Sequence, residues 1–272
     1  MYLSCSTLCF KLSDYPDIHD VLARIKGMGF AAVDLAAFEN WQNVNPSSLL
    51  TDNGQAWTRS FAEALAVTGL RVSSFNCGSS TRLNDPNPAA FAQYTREYQA
   101  LLDFAEAVGC PNLTVQPGYP IEGYDLGTLL DTTRGHLAEL AKLNEGRAIT
   151  LSFEGHQGSI LEDPANAIAM MNALWPDVGF TYDPSHWAMQ DIPLSETEAL
   201  LDTTYHVHVR NAALDKMQET MAAGVVDFHW LIAALKARGY DGAVAIEYFN
   251  GFDADFSSTI ALRDLMGSVH ER

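Results

Sequence analysis

Four times along the chain a helical stretch ends in a glycine and an apolar run follows at once: RIKGMGFAAVDLA, ALAVTGLRVSSF, AEAVGCPNLTV and LKARGYDGAVAIE. The junction residues are Gly29, Gly69, Gly109 and Gly239, and the first three fall forty residues apart. A glycine past the last helical turn adopts the left-handed conformation that closes the helix, so the chain can enter a strand directly. A strand-plus-helix unit recurring every few tens of residues is the pattern of parallel strands joined by crossover helices. Few folds accommodate it.

The same reading places strands near residues 2–7, 31–35, 71–76, 112–116, 149–154, 178–183, 205–210 and 243–247. Segments between them, such as DIHDVLARIKGMG and FAQYTREYQALLDFAEAVG, carry helical periodicity. Asp163-Pro164 and Asn87-Pro88 each put a cap residue before a proline of the first helical turn. Eight such units in 272 residues predict one (β/α)8 TIM barrel, α/β in class, spanning residues 1–272 with its active site at the C-terminal rim of the strands. An open doubly wound sheet is the competing architecture. No G-x-G-x-x-G follows the first strand and no P-loop occurs, which removes the main reason to expect a nucleotide-binding sheet.

The formal net charge is −18, and no cluster of Arg or Lys breaks it. A phosphate backbone would be repelled, so nucleic acid is not an expected partner. No apolar run approaches the roughly 20 residues of a membrane helix. The first residues, MYLSCSTLCFKLSD, read as a strand rather than a signal peptide, and a cytoplasmic setting is expected. Cys5, Cys9, Cys77 and Cys110 show no CxxC spacing and are expected to be free thiols. Cys5 and Cys9 would share one face of the first strand.

The runs ITLSFE, VGFTYD, YHVHV and AVAIE place Glu154, Asp183, His208 and Glu247 at or near four strand ends. In a barrel these ends meet at one rim. Buried carboxylates gathered there repel one another unless a cation joins them. Three carboxylates and one imidazole describe a site for one divalent ion, manganese first, with magnesium, cobalt or zinc as alternatives. Asn76, Cys77, Gln116, His156, His186 and Arg210 fall on the same rim. Trp41, Phe75, Trp187 and Phe249 are candidate walls for a sugar ring, although ordinary packing explains each equally well.

YDPSH (residues 182–186), HVHVRN around His208, GVVDF (residues 224–228) and the closing GYDGAVAIEY resemble the sugar phosphate isomerase/epimerase superfamily with the xylose-isomerase-like barrel. The resemblance follows strand order over nearly the whole chain and is strongest from Glu154 onward. It implies that Glu154, Asp183, His208 and Glu247 hold the metal, that Glu154 and Glu247 transfer protons, and that His186 binds a substrate oxygen. His156, Arg210, Gln116 and Trp187 are then candidates for substrate contact. Of the two histidines flanking Val207, His206 would lie deeper, as a core residue. Members of the tagatose-epimerase type carry an Arg six residues past the strand-seven His, where this chain has Leu214. Arg210 either substitutes for that Arg or pairs with a rim carboxylate. The resemblance further implies dimers or tetramers.

The chemistry expected of these parts is isomerisation or epimerisation of a keto-sugar or related polyol through an enediolate. The same enediolate could instead expel a β-substituent, as in a lyase or dehydratase. An AP-endonuclease-like nuclease shares this barrel but needs further histidines on the earlier strands, where SSFNC and TVQPG have none. Asp227 and His229 mimic an Asp-x-His pair, yet Asp227 reads better as the cap of the next helix. A binding barrel without chemistry is the remaining alternative.

Overall fold

In the computed structural model, which describes residues 1–39, 44–249 and 251–270, eight parallel strands pair in sequence order and the eighth closes onto the first. They are β1 (Tyr2–Ser6), β2 (Ala32–Ala37), β3 (Arg71–Cys77), β4 (Asn112–Val115), β5 (Thr150–Glu154), β6 (Gly179–Tyr182), β7 (Thr204–Val209) and β8 (Ala243–Ile246). The helices are α1 (Ile18–Gly27), α2 (Asp52–Thr68), α3 (Pro88–Ala107), α4 (Leu126–Asn144), α5 (Pro164–Leu174), α6 (Pro184–Ala188), α7 (Phe228–Ala237) and α8 (Ser257–His270). The expected (β/α)8 barrel is therefore the fold, and the doubly wound sheet is not. Among the described residues no helix is long and apolar enough to cross a membrane.

The local signals work as expected. The four junction glycines have φ between 65° and 87°, the left-handed region that a side chain would strain. Asn87 accepts the Ala89 amide at 3.0 Å, Asp163 that of Ala165 at 2.8 Å, and Asp227 that of Trp230 at 2.9 Å, so each caps its helix. The first strand is shorter than expected. Ser6 accepts the Leu8 amide at 3.3 Å and starts a 3-10 turn, Thr7–Cys9, so Cys9 leaves the strand that holds Cys5. All four cysteines are buried free thiols.

The apolar core lies between the outer faces of the strands and the helices. Phe75, Phe153 and Phe180 are fully buried there, and Phe75 packs on Phe104 of α3 with ring centroids 4.7 Å apart. The barrel axis is polar instead. Thr114 bonds Thr181 across the barrel at 2.8 Å, and Asn112 donates to Ser74 and Ser152 at 2.9 and 3.0 Å. Small hydroxyl and amide side chains fill the narrow axis while satisfying one another, which burial demands. Alternation along β3 to β6 thus sends hydrophobes outward and polar groups inward.

One loop closes over that rim by an interlock. Asn211, just past β7, accepts the amides of Ala212 and Val226, both at 3.1 Å, and donates to the Thr220 carbonyl at 3.2 Å. A Cβ on Gly224 would stand 2.0 Å from Cγ of this pinned carboxamide. The Gly of GVVDF is therefore a packing requirement. Gly224→Ala is expected to cost about 1–3 kcal/mol through overpacking. For a chain of this size that lowers the melting midpoint by roughly 2–4 °C per kcal/mol. Thermal denaturation with an unchanged midpoint would contradict this account.

Candidate active site

Glu154 ends β5, Asp183 follows β6, His208 lies in β7 and Glu247 follows β8, and none is more than 3% exposed. The structure gathers them at one end of the barrel. His208 Nδ1 lies 3.0 Å from Glu154 Oε1 and 3.6 Å from Glu247 Oε2. Donor atoms of Glu154, His208 and Glu247 fall within 4.8 Å of one another, and so do those of Glu154, Asp183 and His186. Glu154 joins the two groups.

Asp183 divides its oxygens between two tasks. Oδ1 accepts the Ser185 amide at 2.8 Å and caps α6. Oδ2 is buried without a hydrogen bond, 3.0 Å from Arg210 Nη2 but off the N–H axis. Arg210 enters from just beyond β7, nearly fully buried, and its Nη1 donates to Glu247 Oε2 at 2.8 Å. One guanidinium thus faces two of three buried carboxylates. Glu154 pairs instead with His208, and the Asp183 oxygen left without a hydrogen bond, 3.7 Å from His186 Nε2, belongs to a donor set that suits a hard or borderline divalent cation.

The two glutamates are held in different electrostatic states. Burial pushes the Glu247 carboxyl up to about 7, aided by the charge of Glu154, against the opposing pull of His208 and Arg210. Burial would raise Glu154 too, but His208, His186 and Arg210 outweigh it and hold that carboxyl well below its ordinary value. Burial works against the His208 imidazolium, yet Glu247, Glu154 and Asp34 raise it well above the usual histidine value. His186 moves the other way, kept neutral by burial and by Arg210.

Two amides tie the glutamates together. Asn76 Nδ2 donates to Glu247 Oε1 at 2.9 Å, while Gln116 Nε2 donates to Asn76 Oδ1 at 3.1 Å and reaches Glu154 Oε2 at 3.5 Å. Each glutamate therefore has one oxygen fixed by an amide and the other turned toward His208. Above them opens a cavity of about 510 Å3, with Gln116, His156, His186 and Arg210 on its floor beside the glutamates. Phe38, Tyr94, Tyr119, Met217 and Phe249 give it apolar walls.

Several expected positions need correction. Trp187 is fully buried and does not line the cavity; its indole packs against Gly155 behind the rim, because the short α6 turns it away from His186. Phe75 also faces the helices, since its neighbour Asn76 takes the inward position. Cys77 is buried and, by the same alternation, lies off the cavity. Trp41 lies outside the described residues. Leu214 is 59% exposed and is not a cavity residue, whereas Arg210 is. His206 is the deep histidine, as expected, but its partner is a residue that sequence reasoning passed over. Asp34 of β2 is fully buried, with Oδ2 2.8 Å from His206 Nε2 and 3.4 Å from His208 Nε2. The one signal for it was a lone carboxylate inside the apolar run AAVDLAA.

The barrel has known relatives. The chain is 27% identical over 162 residues to a putative hydroxypyruvate isomerase of Mus musculus, a match covering 55% of this chain and 57% of that protein. Its fold matches a 3-keto-D-glucoside 4-epimerase from E. coli with a TM-score of 0.76 at 17% identity, over 100% of both chains. A xylose isomerase-like barrel protein from Mycobacterium smegmatis, in complex with magnesium, matches with a TM-score of 0.76 at 17% identity over 98% of this chain and 96% of the other. The model of the family described as xylose isomerase-like TIM barrel matches residues 22–262, from the first helix into the last, and the chain belongs to that family.

Proposed function

We propose that the protein is a divalent-metal-dependent isomerase or epimerase of a keto-sugar or related polyol, with Glu154 and Glu247 as its proton-transfer pair. The observation that carries this reading is the placement of both glutamates on one imidazole, His208, beneath one cavity. The likeness to a keto-glucoside epimerase and to a putative hydroxypyruvate isomerase supports the same chemistry, since both names describe movement of hydrogen beside a carbonyl.

Glu154, Asp183, His208 and Glu247 would hold the ion, manganese being the first to test. When bound, a divalent cation there would supply Lewis acidity, polarising a carbonyl and its neighbouring hydroxyl so that the C–H beside the carbonyl becomes acidic. One glutamate takes the carbon-bound proton and the other delivers a proton to the same or the adjacent carbon. Arg210, whose Nη2 donates to His186 Nε2 at 2.9 Å, would add a fixed positive charge beside the substrate oxygen that gains negative charge. Phe38, Tyr119 and Phe249 would cover the apolar face of the sugar and exclude water.

The first experiment is metal analysis of protein purified without chelator and again after reconstitution with manganese. One ion per chain is expected, lost in His208→Ala. Reconstituted protein should then exchange carbon-bound hydrogen for deuterium in one of a panel of neutral ketohexoses, 3-keto-glycosides and hydroxypyruvate. No bound metal under either condition would sink the reading. The affinity should also rise as pH rises. Below about 7 the metal-free protein holds a proton on Glu247, and His208 keeps one to still higher pH. A metal must displace both, so titrations at pH 6, 7 and 8 should show tighter manganese binding at each step upward.

A further inference from the structure

The barrel's two register shifts among the described residues fall at one level. β2 slips against β3 between Val33 and Asp34, and β6 slips against β7 between Phe180 and Thr181, whose partner is His206. Such irregularities re-aim side chains beside functional sites. Here they accompany the meeting of Asp34 and His206 on the barrel axis, directly beneath His208. A fully buried carboxylate at that depth needs a task that offsets its desolvation.

We infer that Asp34 is a positioning residue for His208: it accepts the Nε2–H of the imidazole and so keeps the Nδ1 lone pair aimed at the rim. A neutral imidazole carries one N–H, and the nitrogen that bears it cannot bind a metal. Nδ1 faces Glu154 Oε1 at 3.0 Å and Glu247 Oε2 at 3.6 Å. Left to those two carboxylates, the proton would settle on Nδ1 and block the ligand position. Asp34 Oδ2, 3.4 Å from Nε2, supplies a competing negative charge on the far side of the ring. His206 stands beside that carboxylate: its Nε2 lies 2.8 Å from the same oxygen without a hydrogen-bonding angle, and its ring stands edge-on to His208 at 4.9 Å and 87°. Carboxylates behind metal-bound histidines fix the tautomer and raise ligand basicity, and losing one commonly weakens metal binding about 10–100-fold.

This inference rests on the metal reading above, and the test separates the two. Manganese affinity is measured by calorimetry for the parent protein, Asp34→Asn and Asp34→Ala, together with the melting midpoint of each metal-free protein. The parent should bind one ion, and both variants should bind it about 10–100-fold more weakly. A role confined to packing would lower the midpoints and leave the affinities within threefold of the parent, which would overturn the inference while leaving the metal reading intact. A parent that binds no manganese would overturn both. A second ion per chain, lost with Asp34, would make the carboxylate a ligand and also overturn it. A measurement on the parent alone covers failure of the variants to fold. In magnesium-loaded, 15N-labelled protein, His208 should carry its proton on Nε2 as a slowly exchanging downfield resonance. A proton on Nδ1 in that sample would refute the assignment.

Discussion

Glu154→Gln and Glu247→Gln are each expected to yield a folded protein whose substrate turnover is reduced about 10²–10⁴-fold, the usual worth of a positioned general acid or base. Glutamine keeps the size of the side chain and an oxygen for His208, so the interlock of Asn76, Gln116 and the two carboxyls is disturbed at single bonds only. What it cannot do is accept a proton from carbon. Turnover and hydrogen exchange then part company in a revealing way. The variant lacking the accepting glutamate loses both deuterium wash-in and product. The variant lacking the returning glutamate still exchanges hydrogen on the accepting face but forms no epimer or isomer. Proton NMR of substrate in D2O reads both quantities from one sample. Unchanged turnover in either variant, with metal content verified, would rule out the two-carboxylate scheme.

Much of this site was legible in the sequence because it sits at strand ends. A barrel carries its chemistry at one rim, so a charged residue closing an apolar run has its position fixed as soon as the strand is recognised. Glu154, Asp183 and Glu247 close or follow such a run, His208 stands one residue short of the end of its own, and the structure brings all four to one end of the barrel. Asp34 escaped notice because it lies in mid-strand, where its meaning depends on which residue faces it across the barrel. No local pattern gives that pairing; it depends on barrel closure and on the register shifts of β2 and β6. Phe75 and Trp187 failed for a different reason. A neighbour of a rim residue need not be on the rim: alternation turns Phe75, beside inward-facing Asn76, toward the helices. The hydrogen-bonding of Asn76 and Gln116 was equally beyond reach, since it joins strands three, four, five and eight through side chains alone.

Arg210→Leu should have the largest effect on stability, and its size should depend on metal. The guanidinium donates to Glu247 at both its carbonyl oxygen, 3.1 Å, and Oε2, 2.8 Å, and lies 3.0 Å from Asp183 Oδ2. It also lies over the Phe249 ring at 5.3 Å. Leucine would take from the buried Asp183 and Glu247 carboxyls the guanidinium that lies against both. Breaking a buried ion pair in this way costs about 3–5 kcal/mol, far more than the lost attraction of a surface pair. The metal-free variant is therefore expected to melt well below the parent, by roughly 2–4 °C for each kcal/mol lost. A divalent ion bound by the same carboxylates would supply the missing positive charge. Manganese should accordingly stabilise Arg210→Leu more than it stabilises the parent, so the gap between their melting midpoints narrows when chelator is replaced by metal. Arg210→Lys should recover only part of the loss, because an ammonium is a single point charge and cannot fork between two carboxylates. A gap of equal size with and without manganese would mean that Arg210 and the ion do not serve the same carboxylates, and the four-ligand site would have to be redrawn.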